Sequence, residues 1–125
     1  MTDASADAAR APLHNDDEEC RRLAGVMELV GKRWSSGILL ALGMGAERFS
    51  EIERRVAGLS ARMLSVRLRE LEGAGLVERM VAPTTPVSIS YRLSARGREL
   101  LRSLQPMAQY ARRWEPPVSQ DSNPS

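Results

Sequence analysis

Arg62, Ser65 and Arg69 recur at intervals of three and four residues. At helical periodicity they share one face, about 130° from a second face made by Leu64, Leu68 and Leu71. The leucine face can pack. The other face offers two guanidinium forks and a short hydroxyl. Such forks bond phosphate oxygens and guanine edges two at a time, and a hydroxyl can serve either. The competing reading is an ordinary amphipathic helix whose arginines face water. Covalent chemistry has little to start from. Cys20 is the single cysteine and His14 the single histidine. They leave no intrachain disulfide, no Cys-based zinc cage and no Ser/His/Asp constellation, so neither metal nor cofactor is expected.

The elements that must position this face can be read around it. Ser60 is a good N-cap for a helix over Ala61–Gly73. Phe49-Ser50-Glu51-Ile52-Glu53 reads as a capping box, with Ser50 as N-cap, Glu53 as its reciprocal partner and Phe49 as staple. That short helix turns Ile52 and Val56 inward and ends at Gly58. Two helices joined by a short turn containing Gly58 have the outline of a helix-turn-helix. After Gly75 the period changes. Leu76–Val81 and Val87–Leu93 read as strands, and Ala82–Pro86, with two prolines, as the tip between them.

Upstream, a first helix is expected from Asp16 or Asp17 to Gly31, with Leu23, Val26, Met27 and Val30 at helical spacing. A second opens at Trp34 and ends at Gly43 or Gly45; it is nearly all apolar and belongs in the core. Downstream, Ser94 caps a last helix that ends near Trp114, with Pro106 expected to kink or interrupt it. The fold class is therefore α+β, mostly α: a winged helix-turn-helix with extra helices at both ends. Residues 1–15 read as a disordered lead-in, 16–115 as one folded domain and 116–125 as a loose tail.

Length and charge agree with that plan. With 125 residues, of which 42% are hydrophobic and 4% aromatic, the chain supports one modest core. No run is long and apolar enough for a membrane span, and the acidic N-terminus is unlike a secretory signal, so the cytoplasm is expected. The formal charge of +2 hides an asymmetry, −5 over residues 1–20 and +7 over the rest. All basic residues from Arg21 onward except Lys32 are arginine. A basic body behind an acidic lead-in suits duplex DNA.

In a helix lying in the major groove, residues near its N-terminus reach deepest. Ser60, Ala61, Arg62, Ser65 and Val66 are therefore the base-reading candidates, and Arg69 a phosphate contact. Arg48, the helix start at Ser50, Arg79 on the first strand, and Thr84 and Thr85 at the tip are candidates for the backbone. The tip carries no arginine to insert into a minor groove.

Gly31-Lys32-Arg33-Trp34-Ser35, Arg48–Ile52, Gly58–Glu72, Gly75–Arg79 and Tyr91–Gly97, in that order, resemble the HxlR-type bacterial winged-helix regulators. The likeness covers about Cys20 to Trp114. It implies a homodimer on operator DNA, with the helix at 60–72 in the major groove, the hairpin as wing, and the first and last helices as dimer contact. Two positions depart from the family pattern. Val87-Ser88-Ile89-Ser90 precedes Tyr91 where a carboxylate is common, and Arg21 follows Cys20 where proline is usual.

The dimer also follows from apolar residues left over on the end helices: Leu23, Val26, Met27 and Val30 on one, Leu101, Leu104, Met107 and Trp114 on the other. The two reading helices would then meet half-sites about 34 Å apart. Several family members sense quinones, aldehydes or oxidants through the early cysteine, which makes Cys20 a sensor candidate and a small electrophile or oxidant a candidate inducer. The other reading is a buried, inert thiol.

Three functions compete on these residues: a DNA-binding transcriptional regulator, expected to repress; a winged-helix protein-interaction module without DNA binding; and a small thiol enzyme. The second would show an apolar or acidic outward face on residues 60–72. The third needs a base or a resolving thiol near Cys20, and the sequence supplies neither, so no catalysis is expected.

Overall fold

A computed structural model describes residues 18–117 of the chain, in two units divided between Lys32 and Arg33. The expected lead-in over 1–15, the expected helix start at Asp16 or Asp17, His14, and the tail from 118 lie outside the described residues.

In the first unit, α1 spans Glu18–Gly31. Glu18 and Glu19 in its first turn suit the helix dipole, and Glu18 pairs with Arg22 one turn on at 2.5 Å. The helix buries none of its residues. Leu23, Val26 and Met27 are exposed.

The second unit contains α2 (Ser35–Gly43), α3 (Phe49–Arg55), α4 (Ala61–Gly73), β1 (Val77–Ala82), β2 (Ser88–Leu93) and α5 (Ala95–Trp114). Helix α2 is the centre of the core. Ile38 and Leu39 are fully buried, and Ala41 and Leu42 nearly so. Its N-cap, Trp34, takes a left-handed φ of 79°, with the Arg33 guanidinium 4.5 Å from its ring centroid. A non-glycine residue there carries strain. Ile52 from α3 and Val56 just after it, Leu64, Leu68 and Leu71 from α4, and Leu76, Val77 and Leu93 at the root of the hairpin complete the interior.

The start of α3 differs from the expected capping box. Arg48, not Ser50, is the N-cap. The Glu51 carboxylate accepts from the Arg48 amide at 2.8 Å and from the Glu47 amide at 3.0 Å. Glu51 thus does the work assigned to Glu53, and Ser50 and Phe49 lie inside the helix. The reason is spacing: Glu51 stands three residues after an extended Arg48, where a carboxylate reaches the first free amide. The helix also stops earlier than Gly58, at Arg55.

Helix α4 begins as expected, the Ser60 hydroxyl accepting from the Met63 amide at 3.1 Å. The strands pair antiparallel from Val77 opposite Leu93 to Ala82 opposite Ser88. Each starts one residue later than expected. The Ser94 hydroxyl caps α5 by accepting from the Gly97 amide at 3.0 Å and donates to the Gly75 carbonyl at 2.6 Å. The expected interruption at Pro106 does not occur, and α5 runs through it to Trp114. Pro106 and Arg102, one turn before it, are both exposed. The carbonyl that loses its partner is therefore not sealed in the core, where the loss would cost most. Among the described residues, no helix is long and apolar enough to cross a membrane.

Candidate nucleic-acid interface

The site is built on α4. Leu64, Leu68 and Leu71 are at most 2% exposed, which fixes the rotation of the helix about its axis. Ser60, Ala61, Arg62 and Arg69 are consequently exposed, and Ser65 and Val66 half-buried beside them. Arg69 donates to the Ser65 hydroxyl at 3.3 Å, so these two polar groups share one turn of the outward face. Arg62, nearest the N-terminus, projects from the first turn.

Arg67 lies on the same helix but serves another purpose. It is largely buried, donating to the Arg33 carbonyl at 2.9 Å and pairing with Glu70 at 3.1 Å. One guanidinium of α4 is therefore spent on tying the helix to the start of α2. Its main partner lies 34 residues away in sequence, beyond the reach of periodicity.

The sheet register puts Arg79 directly opposite Tyr91. Ser65, Arg69 and Glu72 of α4 line a shallow groove with these two strand residues. Arg69 and Arg79, taken from sequence as separate backbone contacts, thus flank a common furrow. Tyr91 was not among the sequence candidates. Alternation along β2, once the Val77–Leu93 pairing is known, puts it on the same sheet face as Arg79.

The remaining candidates are scattered around this face. Ser50 is exposed in the first turn of α3. Arg48, also exposed, directs its guanidinium to the hairpin, where one nitrogen donates to the Ser88 hydroxyl and to the Ile89 carbonyl. Thr84 and Thr85 are exposed at the tip, where the Thr84 hydroxyl donates to the Pro86 carbonyl at 2.8 Å. Cys20 is half-buried in the first turn of α1, apart from all of these in sequence.

A leucine-anchored second helix that follows a short turn and shows arginine to solvent, with a two-stranded hairpin after it, defines the winged helix-turn-helix class. In that class such a helix enters a major groove. The chain belongs to the HxlR-like helix-turn-helix family, whose model matches residues 29–119.

Similar proteins agree. The chain is 42% identical over 103 residues to the uncharacterized HTH-type transcriptional regulator YvaP of Bacillus subtilis, covering 82% of this chain and 95% of that one. The reduced form of the transcriptional regulator YodB from B. subtilis superposes with a TM-score of 0.70 at 37% identity, over 80% of this chain and 98% of that one. The redox regulator HypR in its oxidized form gives 0.69 at 28% identity, over 78% and 99%. DNA binding is thereby favoured over a protein-interaction module, whose outward face on α4 would be apolar or acidic instead of arginine-bearing.

Proposed function

We propose that this chain is a sequence-specific transcriptional regulator that binds operator DNA as a homodimer. The exposed Arg62–Ser65–Arg69 face of α4, backed by three buried leucines, carries the reading. In it, Ser60, Ala61, Arg62, Ser65 and Val66 meet base edges. Arg69 and Arg79, together with Ser50, Thr84 and Thr85, serve the DNA backbone. Residues 16–115 form the working domain, and the cytoplasm, with the chromosome, is the compartment this reading requires.

The dimer is the second part of the proposal. The apolar residues exposed on α1, and Met107, Tyr110 and Trp114 exposed on α5, offer surface for a symmetry mate to cover. Repression is the expected mode, through occupancy of a promoter.

The third part is a thiol response. The relatives named for reduced and oxidized states motivate a sensing role for Cys20. With one thiol per chain, oxidation reaches a disulfide between subunits or a mixed disulfide with a small thiol, and an electrophile alkylates it.

The experiment is selection of genomic fragments bound by the wild type and by Cys20→Ser, with and without oxidant. The reading expects a common enriched motif with two half-sites, lost on oxidation only in the wild type. No enrichment at low salt overturns DNA binding. Equal oxidant response in both proteins overturns the role of Cys20.

A further inference from the structure

The hairpin raises a mechanical question. A two-stranded sheet is marginal alone, and only its root is anchored in the core, at Val77 and Leu93. Its outer residues Val81, Ala82 and Val87 are exposed. What holds the outer half lies on the free edge of β2. There the Tyr91 amide donates to the Glu47 carbonyl at 2.8 Å. One residue on, the Arg48 guanidinium reaches the Ser88 hydroxyl and the Ile89 carbonyl. Tyr91 and Ile89 are two apart, so both present their backbone groups to the same edge, as antiparallel geometry requires. The segment Glu47–Arg48 therefore lies along β2 as a short third stave. It is also the N-terminal boundary of α3, held there by Glu51.

We propose that Arg48 and Ser88 are a positioning pair that sets the angle of the wing against the helix-turn-helix, and that Arg48 supports DNA binding through the wing and not as a phosphate ligand. The inference rests on the DNA-binding reading. It reassigns Arg48 within that reading and adds Ser88, which no sequence signal singled out. The pair spans 40 residues of sequence and joins the first helix of the motif to the outer half of the hairpin. Glu47, Arg48, Ser88 and Ile89 thus form one edge whose order decides whether the tip meets DNA in register with α4.

Ser88→Ala tests this without altering any charge. The probe is the fragment most enriched by the wild type, titrated at several salt concentrations with Arg48→Ala, Arg48→Lys, Ser88→Ala and the double variant Arg48→Ala/Ser88→Ala. The pair predicts that Ser88→Ala and Arg48→Ala each weaken binding about threefold to tenfold. The double variant is then no weaker than Arg48→Ala, and the salt slope keeps its wild-type value. In DNA-free protein, amide exchange at Tyr91, bonded to Glu47, and at Ser90, paired with Met80 in the ladder, quickens in both single variants. The proposal is overturned if Ser88→Ala binds like the wild type while Arg48→Ala lowers the salt slope by about 1.8, the signature of one lost phosphate contact in each of two protomers. Unchanged exchange at Ser90 and Tyr91 in both variants overturns it as well. A wild type that ignores DNA would instead sink the regulator reading, and exchange would still decide whether Arg48 and Ser88 tether the hairpin.

Discussion

Gly97 in the first turn of α5 lies directly against the carbonyl of Leu76 at the root of the wing, and a Cβ at that position would collide with that oxygen. The same carbonyl accepts from the Ser94 amide at 3.0 Å. Helix and hairpin are therefore clasped at one backbone corner, and the clash is with main chain that cannot rotate away. Gly97→Ala should destabilise the domain by about 1–3 kcal/mol, the usual cost of overpacking. A urea midpoint equal to the wild type would show that the corner yields.

Arg62 and Arg69 should separate on DNA. Arg62→Ala is expected to relax base preference at one position of each half-site, losing about 1–3 kcal/mol of discrimination. Arg69→Ala should weaken all sequences alike and reduce the salt slope of the dimer by about 1.8, one contact from each protomer. Competition binding with single-base operator variants at two salt concentrations measures both. Equal effects on all bases from Arg62→Ala would move the reading role elsewhere on α4.

Glu51 makes stability depend on pH. The amides of Glu47 and then Arg48 bond its carboxylate and hold its pKa below the ordinary glutamate range. A depressed value in the folded state means that the unfolded chain takes up the proton first as pH drops. The contribution of Glu51 is then whole above the ordinary glutamate pKa and is lost as pH falls through the lower folded value. Glu51→Gln should be less stable than the wild type at neutral pH, and the gap should close on acidification. A constant gap in urea midpoints would refute the charge-dependent cap.

Ser35 is 1% exposed, and its hydroxyl finds no hydrogen-bond partner among the described residues. Removing an unsatisfied buried hydroxyl relieves a desolvation cost of about 1–3 kcal/mol. Ser35→Ala should hold or raise the melting temperature. Leu64→Ala, at a fully buried site, should lower stability by about 2–5 kcal/mol. A large loss in Ser35→Ala would reveal a partner for that oxygen.

The contrast between α4 and α3 shows what the sequence carries and what it does not. At α4, Ser60, the leucine spacing and Gly73 all point to one set of boundaries, and the exposed face follows from periodicity. At α3, two glutamates, Glu51 and Glu53, each stand three residues after a residue able to serve as N-cap. The choice between them is settled by the extended chain at Arg48, which leans on the hairpin. Arg67 and Arg48 were also opaque, because their partners Arg33, Ser88 and Ile89 lie more than 30 residues away. Local pattern identifies a guanidinium but not which distant carbonyl or hydroxyl will claim it. The groove joining Arg69, Arg79 and Tyr91 needed the strand register, which alternation alone leaves open by one residue.

Helix α5 has 20 residues and is about 30 Å long at the standard rise. Its first turn is bolted to Gly75 and Leu76, whereas its far end carries exposed Tyr110 and Trp114. It is built as a lever with its fulcrum beneath the hairpin. A small tilt imposed at the tryptophan end would therefore strain two joints at once, the Ser94 corner under the hairpin and the seat of Leu101 against Gly43 of α2.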